Sequence, residues 1–302
     1  MRMFENANIQ FIANRRKAYV ISAILIVVSI GSLMTRGLEL GIDFKGGMEF
    51  VVETSEALSA VSVRTQLTPV LGMEPEVKTF QDANQLLVRT AAEGEIEGVE
   101  AAIVRTVTAA FPGSNPTIVK TDIVGPRFAD DLKQGALYSV LGSLLVIFIY
   151  VLIRFEWRFG MGAVVALFHD VLITLGAFSL LQGTVPFSLQ IDQTIIAAFL
   201  TIVGYSINDT VVVFDRIREY SNLFKTETYS KLVNRSINNT LSRTIITSGT
   251  TLLVVTVLFI FGGEVLRGFA FALLLGIGIG TYSSIFVASP VVVELRARAS
   301  RV

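Results

Sequence analysis

Long apolar runs alternate with short polar segments along this chain. Six runs carry almost no charged residue over a membrane-spanning length, namely Ala18–Thr35, Gln134–Ile153, Phe159–Phe168 continued by Val171–Ile191, Gln193–Asn208, Thr244–Gly263 and Gly268–Val293. About 20 apolar residues in a helix cross the roughly 30 Å hydrocarbon core of a bilayer. The pattern therefore predicts a polytopic α-helical membrane protein with six transmembrane helices.

The segment between the first two runs has a different pattern. Short strands are predicted at Met48–Glu53, Glu76–Phe80, Gln85–Thr90 and Thr117–Val124, with a turn at Gln81–Asn84. One helix is predicted from Ser55 to about Thr68, where Pro69 would end it. A second is predicted over Ile96–Ala110, whose apolar residues recur every three or four positions. The order β-α-β-β-α-β predicts an α+β domain of the ferredoxin-like type.

The distribution of basic residues predicts how the chain crosses the membrane. If the N-terminus lies inside, fifteen Lys and Arg residues fall in inner segments, whereas the short outer loops Gln182–Gln190 and Gly262–Arg267 hold only Arg267. Because Lys and Arg concentrate in cytoplasmic loops, we expect both termini in the cytoplasm. The polar stretch Asp215–Arg243 is predicted to lie along the inner surface. Three parts are expected: residues 1–36 with the first helix, an extracytoplasmic (periplasmic) domain at 37–130, and the other five helices at 131–302.

Composition excludes several kinds of chemistry. Of the 302 residues, 52% are hydrophobic and 17% are charged, with 25 basic and 25 acidic residues, one histidine and no cysteine. The lack of cysteine excludes disulfide and thiolate chemistry, and a single histidine argues against an imidazole-rich metal site. Balanced charge offers no basic surface for nucleic acid. We therefore expect no metal, no nucleic acid partner and no cofactor; protons are expected as the coupling ion because of the intramembrane carboxylates described next.

Asp209 is the first candidate functional residue, because a charge at the centre of a membrane helix costs about 2.5–3.5 kcal/mol. It follows sixteen residues without a charge and is predicted to lie roughly 9 Å inside the inner membrane edge. Tyr205 and Ser206 share its helix face and form a polar strip with it, and Asn208 lies beside this strip. A carboxylate in such a setting marks an ion pathway by default.

Three more ionisable residues accompany Asp209. Arg243 begins the fifth run at a similar depth, and Thr247 follows it on the same face. Two interpretations stay open: Asp209 relays protons beside Arg243, or the two form a fixed ion pair between helices. His169 and Asp170 lie in the third run. Because consecutive helix residues point about 100° apart, we expect one of them to join Asp209 and the other to bond elsewhere.

Other noticeable residues favour structural interpretations. Asp192, at the outer end of the fourth run, is predicted to be an interfacial helix-end residue. Gly276, Gly278 and Gly280 in the sixth run predict close helix packing. The sequence has no zinc-protease, nucleophile-elbow or Walker-type motif, and Asp209 is not preceded by the Gly-x-Gly of presenilin-like proteases. We therefore do not expect an enzyme.

Six segments of the chain together resemble one known family. They are Gly41–Gly47, Val124–Pro126, His169–Asp170, Val203–Glu219, Ser242–Ser248 and Gly280–Phe286. In these segments the chain resembles the SecF proteins of the SecD/SecF protein-export family, which belongs to the resistance-nodulation-division superfamily. The fourth-run segment is long enough to make the resemblance highly specific.

The resemblance implies a function and partners. It implies that the six helices are half of a pseudo-symmetric twelve-helix bundle, which SecD completes in the bacterial inner membrane. The complex would use the proton-motive force to promote translocation of preproteins through the SecYEG translocon, with Asp209 and Arg243 in proton passage. Two other classes stay open: a proton-coupled exporter of small molecules or lipids on the same plan, and a scaffold for other membrane subunits.

Overall fold

The computed structural model describes residues 8–80, 82–91 and 94–299. Its elements, in chain order, are α1 (Arg15–Thr35), α2 (Ile42–Lys45), β1 (Gly47–Glu53), α3 (Ala60–Leu71), β2 (Glu76–Phe80), β3 (Asp82–Thr90), α4 (Ile96–Ala110), β4 (Thr117–Val124), α5 (Pro126–Arg154), α6 (Trp157–Leu181), α7 (Gln193–Leu223), α8 (Tyr229–Phe261), α9 (Gly263–Ser283), a π-helical turn (Ser284–Ala288) and α10 (Ser289–Ala299). Long helices and a small sheet therefore make up the described chain.

Six helices among the described residues are long and apolar enough to cross a membrane. They are α1, α5, α6, α7, α8 and a continuous helix over Leu266–Arg298 that includes the π-helical turn. The predicted number and order of membrane helices are confirmed. We call the end of this bundle that carries the α+β region the sheet end, and the end at which α7 runs into α8 the opposite end.

Two helix boundaries differ from the prediction. Helix α5 begins at Pro126, where proline takes the first helical position and its missing N–H is no loss. Helix α6 ends at Leu181, ten residues before the predicted limit at Ile191. Gly183 follows with a left-handed φ of 73°, and Pro186 cannot continue a helix. The rest of the predicted run forms the loop into α7.

The stretch Asp215–Arg243 does not form a separate surface helix but belongs to the long helices α7 and α8, so that prediction is wrong. Helix α7 continues straight to Leu223, and α8 starts at Tyr229. Arg235 of α8 stacks over the ring of Phe224, 4.1 Å from its centroid. The apolar faces of these two helix ends also join a buried cluster with Phe214, and this burial favours long paired helices over a surface-bound one.

The α+β region has the predicted β-α-β-β-α-β order. Its four strands form an antiparallel sheet in the order β2-β3-β1-β4. Helix α3 starts later than predicted, and Pro69 lies inside its last turn, where the lost hydrogen bond does not end the helix before Gly72. Strand β3 begins at Asp82. Of the predicted turn at Gln81–Asn84, Gln81 lies outside the described residues.

The two faces of this sheet differ in chemistry. One face packs under α3 and α4 around Phe50, Leu86 and Ile103, which are fully buried. The other face carries charged side chains and turns toward the sheet end of the bundle, where β2 packs against α9. The alternation of side chains along a strand places apolar residues on one face and charges on the other.

Gly46 and Gly47 make the connection into β1. Both have positive φ angles, 78° and 152°, which side chains with a Cβ rarely adopt. A Cβ on Gly47 would also lie 2.5 Å from the Thr90 carbonyl oxygen. Two consecutive glycines therefore let the chain turn from α2 directly into the sheet.

Candidate functional site

A layer of polar side chains crosses the bundle between two apolar clusters. The cluster at the opposite end includes Val213 and Ile285, and the cluster at the sheet end includes Ile202 and Ile277. Nine hydroxyl, imidazole and carboxyl residues lie between them, and we call this set the polar layer: Ser22, His169, Asp170, Ser206, Asp209, Ser248, Thr281, Tyr282 and Ser283. Both apolar clusters shield it from the two ends of the bundle.

Asp209 of α7 is 3% exposed. Its Oδ2 accepts a hydrogen bond of 3.0 Å from Ser248 on α8. Ser248 in turn accepts a bond of 2.8 Å from Thr281 on α9. One hydroxyl chain therefore connects the carboxylate to two neighbouring helices.

Asp170 of α6 is held more firmly. Its Oδ2 accepts hydrogen bonds from Ser206 (2.6 Å) and Ser283 (2.7 Å), and its Oδ1 lies 2.9 Å from Nδ1 of His169. The contact with His169 corrects the expectation that these consecutive residues act on separate faces. Both side chains are buried, and bending toward each other satisfies polar groups that apolar surroundings would leave unpaired.

A chain of polar contacts leads from Asp170 toward the start of α1. Nε2 of His169 lies 3.0 Å from the Ser22 hydroxyl, which lies 3.2 Å from the Tyr282 hydroxyl. Tyr282 then donates to the carbonyl oxygen of Ala18 at 2.9 Å. The contacts therefore extend about one helical turn along α1 toward the opposite end of the bundle.

The two carboxylates occupy neighbouring but separate networks. Ser206, the partner of Asp170, lies three residues before Asp209 on α7, so one helix serves both. In the part of the chain that the structure describes, no hydrogen bond or ion pair joins Asp170 or His169 to Asp209. The expectation that one of them joins the Asp209 network directly is therefore not met.

Arg243 lies on the exposed side of the bundle. It is near enough to act electrostatically on Asp209, but the described residues contain no ion pair between them within 4.0 Å, and Asp209 bonds to Ser248 instead. Asn208 is exposed on α7, and Thr247 is half-buried on α8. Tyr205 donates to Thr251 of α8 at 3.1 Å.

Two of the three glycines in α9 allow the close packing that the sequence predicts. A Cβ on Gly276 would come within 2.3 Å of Ile202, and one on Gly280 within 3.0 Å of Ser206. Gly278 has nothing within 4 Å of its Cβ position. The small residues thus bring α9 against α7 at the polar layer.

A π-helical turn follows the polar layer in the last span. Ser289 donates to the carbonyl oxygen five residues back, Ser284, at 2.8 Å. A Cβ on Gly162 of α6 would lie 2.9 Å from the carbonyl oxygen of Ala288. Single π-turns of this kind often mark functional sites in helices, and this one adjoins Ser283.

Most of the hydroxyl partners of the two aspartates are not recognisable as site residues from the sequence. Ser22, Ser248 and Tyr282 carry no charge and lie in strongly apolar runs, where a single hydroxyl is common. The spacing of Ser22, Ser29 and Ser32 on α1 could have indicated a polar contact face, because these three residues share a buried side of the helix. Ser32 bonds to Ser179 of α6 at 2.8 Å.

The fold and the polar layer together define a class of protein. It is a multi-pass α-helical membrane protein whose bundle encloses ionisable groups, an arrangement typical of ion-driven transport. Comparisons with known proteins identify the family within this class. The family described as "Protein export membrane protein SecD/SecF, C-terminal" matches residues 103–298, and the "SecD/SecF GG Motif" matches residues 31–57.

Whole-chain relatives agree with these matches. Protein translocase subunit SecF of Rhodothermus marinus is 70% identical over 99% of this chain and 97% of its own length. The subunit of the same name from Escherichia coli O157:H7 is 39% identical over 92% of this chain and 85% of its own. The chain belongs to the SecD/SecF family of protein-export membrane proteins, and its whole-chain relatives are SecF subunits. The resemblance is therefore confirmed.

A solved structure supports the fold as well. The crystal structure of SecDF, a translocon-associated membrane protein from Thermus thermophilus, matches with a TM-score of 0.81 and 37% identity. The match covers 99% of this chain but 40% of the SecDF chain. This chain therefore spans less than half of the length of that solved protein.

Proposed function

We propose that this chain is the SecF subunit of a proton-driven protein translocase and acts in protein export rather than as an enzyme. The observation that carries the proposal is the buried Asp209, which one neutral hydroxyl holds at 3.0 Å within the described structure. A carboxylate with a permanent cation at bonding distance keeps its charge, whereas one held by a hydroxyl can change its protonation state at lower cost.

Asp209 is the proton-accepting group in this proposal. When it is ionised, Ser248 and the nearby Arg243 stabilise its charge. When it is protonated, both attractions weaken, and the packing of α7 against α8 shifts toward a second arrangement. One charge that crosses the membrane gains about 2.3 kcal/mol per 100 mV, which corresponds to about fifty-fold in a two-state equilibrium.

His169 and Asp170 form the second part of the proposed proton relay. Asp170 has three polar partners, so it is held more firmly than Asp209. The contacts from His169 through Ser22 and Tyr282 form a row along which a proton can be passed. Ser206, which donates to Asp170, lies three residues before Asp209 on α7, so one helix serves both carboxylates.

SecD is the proposed partner that completes the bundle. The polar residues Asn208 and Arg243 are exposed on helices that are long and apolar enough to cross a membrane, and contact with lipid tails is unfavourable for such residues. A second set of helices on this side would cover both residues, together with the half-buried Tyr205 and Thr247. The greater length of the SecDF chain from Thermus thermophilus is consistent with such a second half.

The proposed location is the bacterial inner membrane, with both termini in the cytoplasm and residues 37–130 in the periplasm. The excess of Lys and Arg at the opposite end of the bundle supports this orientation. The proposed further partners are the SecYEG translocon with its accessory subunits, preprotein substrates and the surrounding lipids. An alkaline phosphatase fusion after Gly113, in the loop before β4, tests the orientation, because the enzyme is active only outside the cytoplasm.

Asp209→Asn tests the proposed function. The variant complex with SecD is reconstituted into vesicles that contain the translocon, and preprotein export and proton flux are measured with and without a proton gradient. We expect the gradient-dependent part of export and the proton flux to be lost, while ATP-driven export remains. Asp215→Asn is the matched control, because Asp215 lies on the same helix but is exposed and pairs with Arg154.

Each alternative class has its own outcome in this experiment. Wild-type export and flux in Asp209→Asn would contradict the proposed role. Gradient-driven efflux of small molecules or lipids without an effect on preproteins would favour an exporter. A wild-type complex that conducts no protons would favour a scaffold.

A further inference from the structure

Carboxylates crowd the contact between the sheet and the sheet end of the bundle. Glu49 and Glu76 lie on the charged face of the sheet. On the bundle side, Asp43 of α2 accepts a hydrogen bond from the backbone N–H of Gln193 at the start of α7. Asp192 lies next to it. We call these four carboxylates and the cations between them the acidic joint.

Asp192 is the first residue that α7 presents to this joint. Its Oδ1 caps the helix by accepting from the backbone N–H of Ile195 at 2.8 Å. Burial raises the pKa of Asp192, and the charges of Glu76 and Asp43 add to this effect, against the cap and Lys78. The ionised form of Asp192 is therefore poorly stabilised, although the side chain caps the start of α7.

Arg89 of β3 lies between the two sides of the joint. Its Nε donates to Glu49 on the neighbouring strand at 2.7 Å. Its Nη1 lies 3.8 Å from Glu76 and 4.0 Å from Asp192. Burial opposes its charge, but Glu76 and Glu49 outweigh burial and raise the pKa of Arg89. The second cation, Lys78, pairs with Glu76 on its own strand.

We propose that Arg89 is the positioning residue that holds the acidic face of the sheet on the acidic start of α7. With the guanidinium present, carboxylates on both sides share one cation. Without it, Lys78, which pairs with Glu76 and acts on Asp192, is the one of these two cations that remains against four carboxylates, and like charges repel strongly where water is scarce. Neutralising Arg89 therefore weakens the attraction between the two regions and leaves the carboxylates there in larger excess over the cations.

The other contacts at this end lie along the edge of the sheet or outside it, and Lys78, which also acts on Asp192, is on the edge strand β2. The backbone bridge between Leu40 and Ile191 ties the segment before α2 to the loop before α7, but it does not touch the sheet. Packing of β2 on α9 holds one edge of the sheet. Arg89 lies on β3, an inner strand, so it controls the tilt of the sheet about that edge.

The consequence for function rests on the proposed role of Asp209. Helix α7 begins at the acidic joint, and Asp209 lies about 24 Å further along the same continuous helix over Gln193–Leu223. A shift of α7 on protonation would therefore reach the sheet through Arg89. The α+β region would follow α7 as one unit rather than swing on a loose linker.

Distance measurements test the positioning role directly. Because the chain contains no cysteine, spin labels can be placed at Thr108→Cys on α4 and Thr184→Cys in the loop after α6, both exposed. In the complex with SecD we expect one narrow distance distribution, which Arg89→Gln broadens and Arg89→Lys keeps narrow. Lys120→Gln, which removes an exposed pair with Asp122, is the control and should leave the distribution unchanged.

A double variant separates charge from packing. Asparagine is a good helix cap, so Asp192→Asn removes the charge and keeps the cap. Alone it should change the distribution little. Combined with Arg89→Gln it should narrow the broadened distribution, because one of the repelling carboxylates is gone. An unchanged distribution in Arg89→Gln, or a broadened one that Asp192→Asn does not narrow, would overturn the positioning role.

Gradient-driven export is the second readout. We expect Arg89→Gln to lose most of the gradient-dependent export, and Arg89→Lys to keep it. Full export with a broadened distribution would overturn the coupling of the sheet to α7. The result for Asp209→Asn is independent: if that variant exports normally, the proposed function fails, while the distance measurements still decide whether Arg89 positions the sheet.

Discussion

The carboxylates of the bundle and those of the acidic joint differ in their partners. Inside the bundle, Asp209 and Asp170 are held by hydroxyls and an imidazole. At the joint, Glu49 and Glu76 are held by Arg89 and Lys78. A fixed cation keeps a carboxylate ionised and makes a static contact, whereas neutral donors leave its charge open to change. A carboxylate can therefore serve as a proton-binding site in one region and as part of a static ion pair in the other.

The largest expected effect comes from Asp170→Ala. The substitution leaves Ser206, Ser283 and His169 without their buried acceptor, and each stranded donor costs about 1–3 kcal/mol. We expect the free energy of unfolding to fall by roughly 3 kcal/mol or more, measured by thermal unfolding in detergent. Asp170→Asn keeps an acceptor oxygen and should cost clearly less. Equal losses in the two variants would show that hydrogen bonding is not what Asp170 supplies.

Ser248→Ala should have a smaller effect on stability but a clear effect on proton coupling. It removes the hydroxyl that donates to Asp209, and a hydrogen bond to a charged group contributes about 1.5–3 kcal/mol. We expect the pH dependence of proton flux in reconstituted vesicles to shift. Ser143→Ala on α5 is the control, because Ser143 donates only within its own helix, to the Val140 carbonyl oxygen. A shift of similar size in that variant would contradict the role of Ser248.

The smallest expected effect is a pH dependence at the acidic joint. Burial raises the pKa of Asp192 in the folded protein, so its protonated form is favoured there. The associated stability is fully present below the unfolded value of about 3.9 and is lost as the pH rises through the raised value. Unfolding measured across this range should show this loss in the wild type, and Asp192→Asn should flatten it. An identical profile in both proteins would exclude Asp192 as its source.

The membrane helices could be predicted because their apolar runs are a local property of the chain. Two helix boundaries differ from the prediction for different reasons. Gly183 and Pro186 end α6 early. The extended ends of α7 and α8 are paired by contacts such as Arg235 over Phe224, which a local pattern does not indicate. The α+β order followed from strand alternation and the spacing of apolar residues in α4. The attachment of this region to the bundle through Arg89 could not be predicted, because no local sequence pattern indicates that β3 contacts the start of α7.

The candidate site was predictable in its ionisable members and in Ser206, which shares a helix face with Asp209. Asp209, Asp170 and His169 are conspicuous because charge is rare in apolar runs. Their partners come from other helices: Ser248 lies 39 positions after Asp209, and Ser283 lies 113 positions after Asp170. Which hydroxyl meets which carboxylate depends on how α7, α8 and α9 pack, and a single sequence does not specify that packing.

Infrared difference spectroscopy of the complex with SecD tests the central claim most directly, because it detects the carbonyl band of a protonated carboxyl group. The account predicts a band that appears when the membrane is energised, is missing in Asp209→Asn and persists in Asp215→Asn. A band that is unchanged in Asp209→Asn, or no band at all during active export, would contradict it.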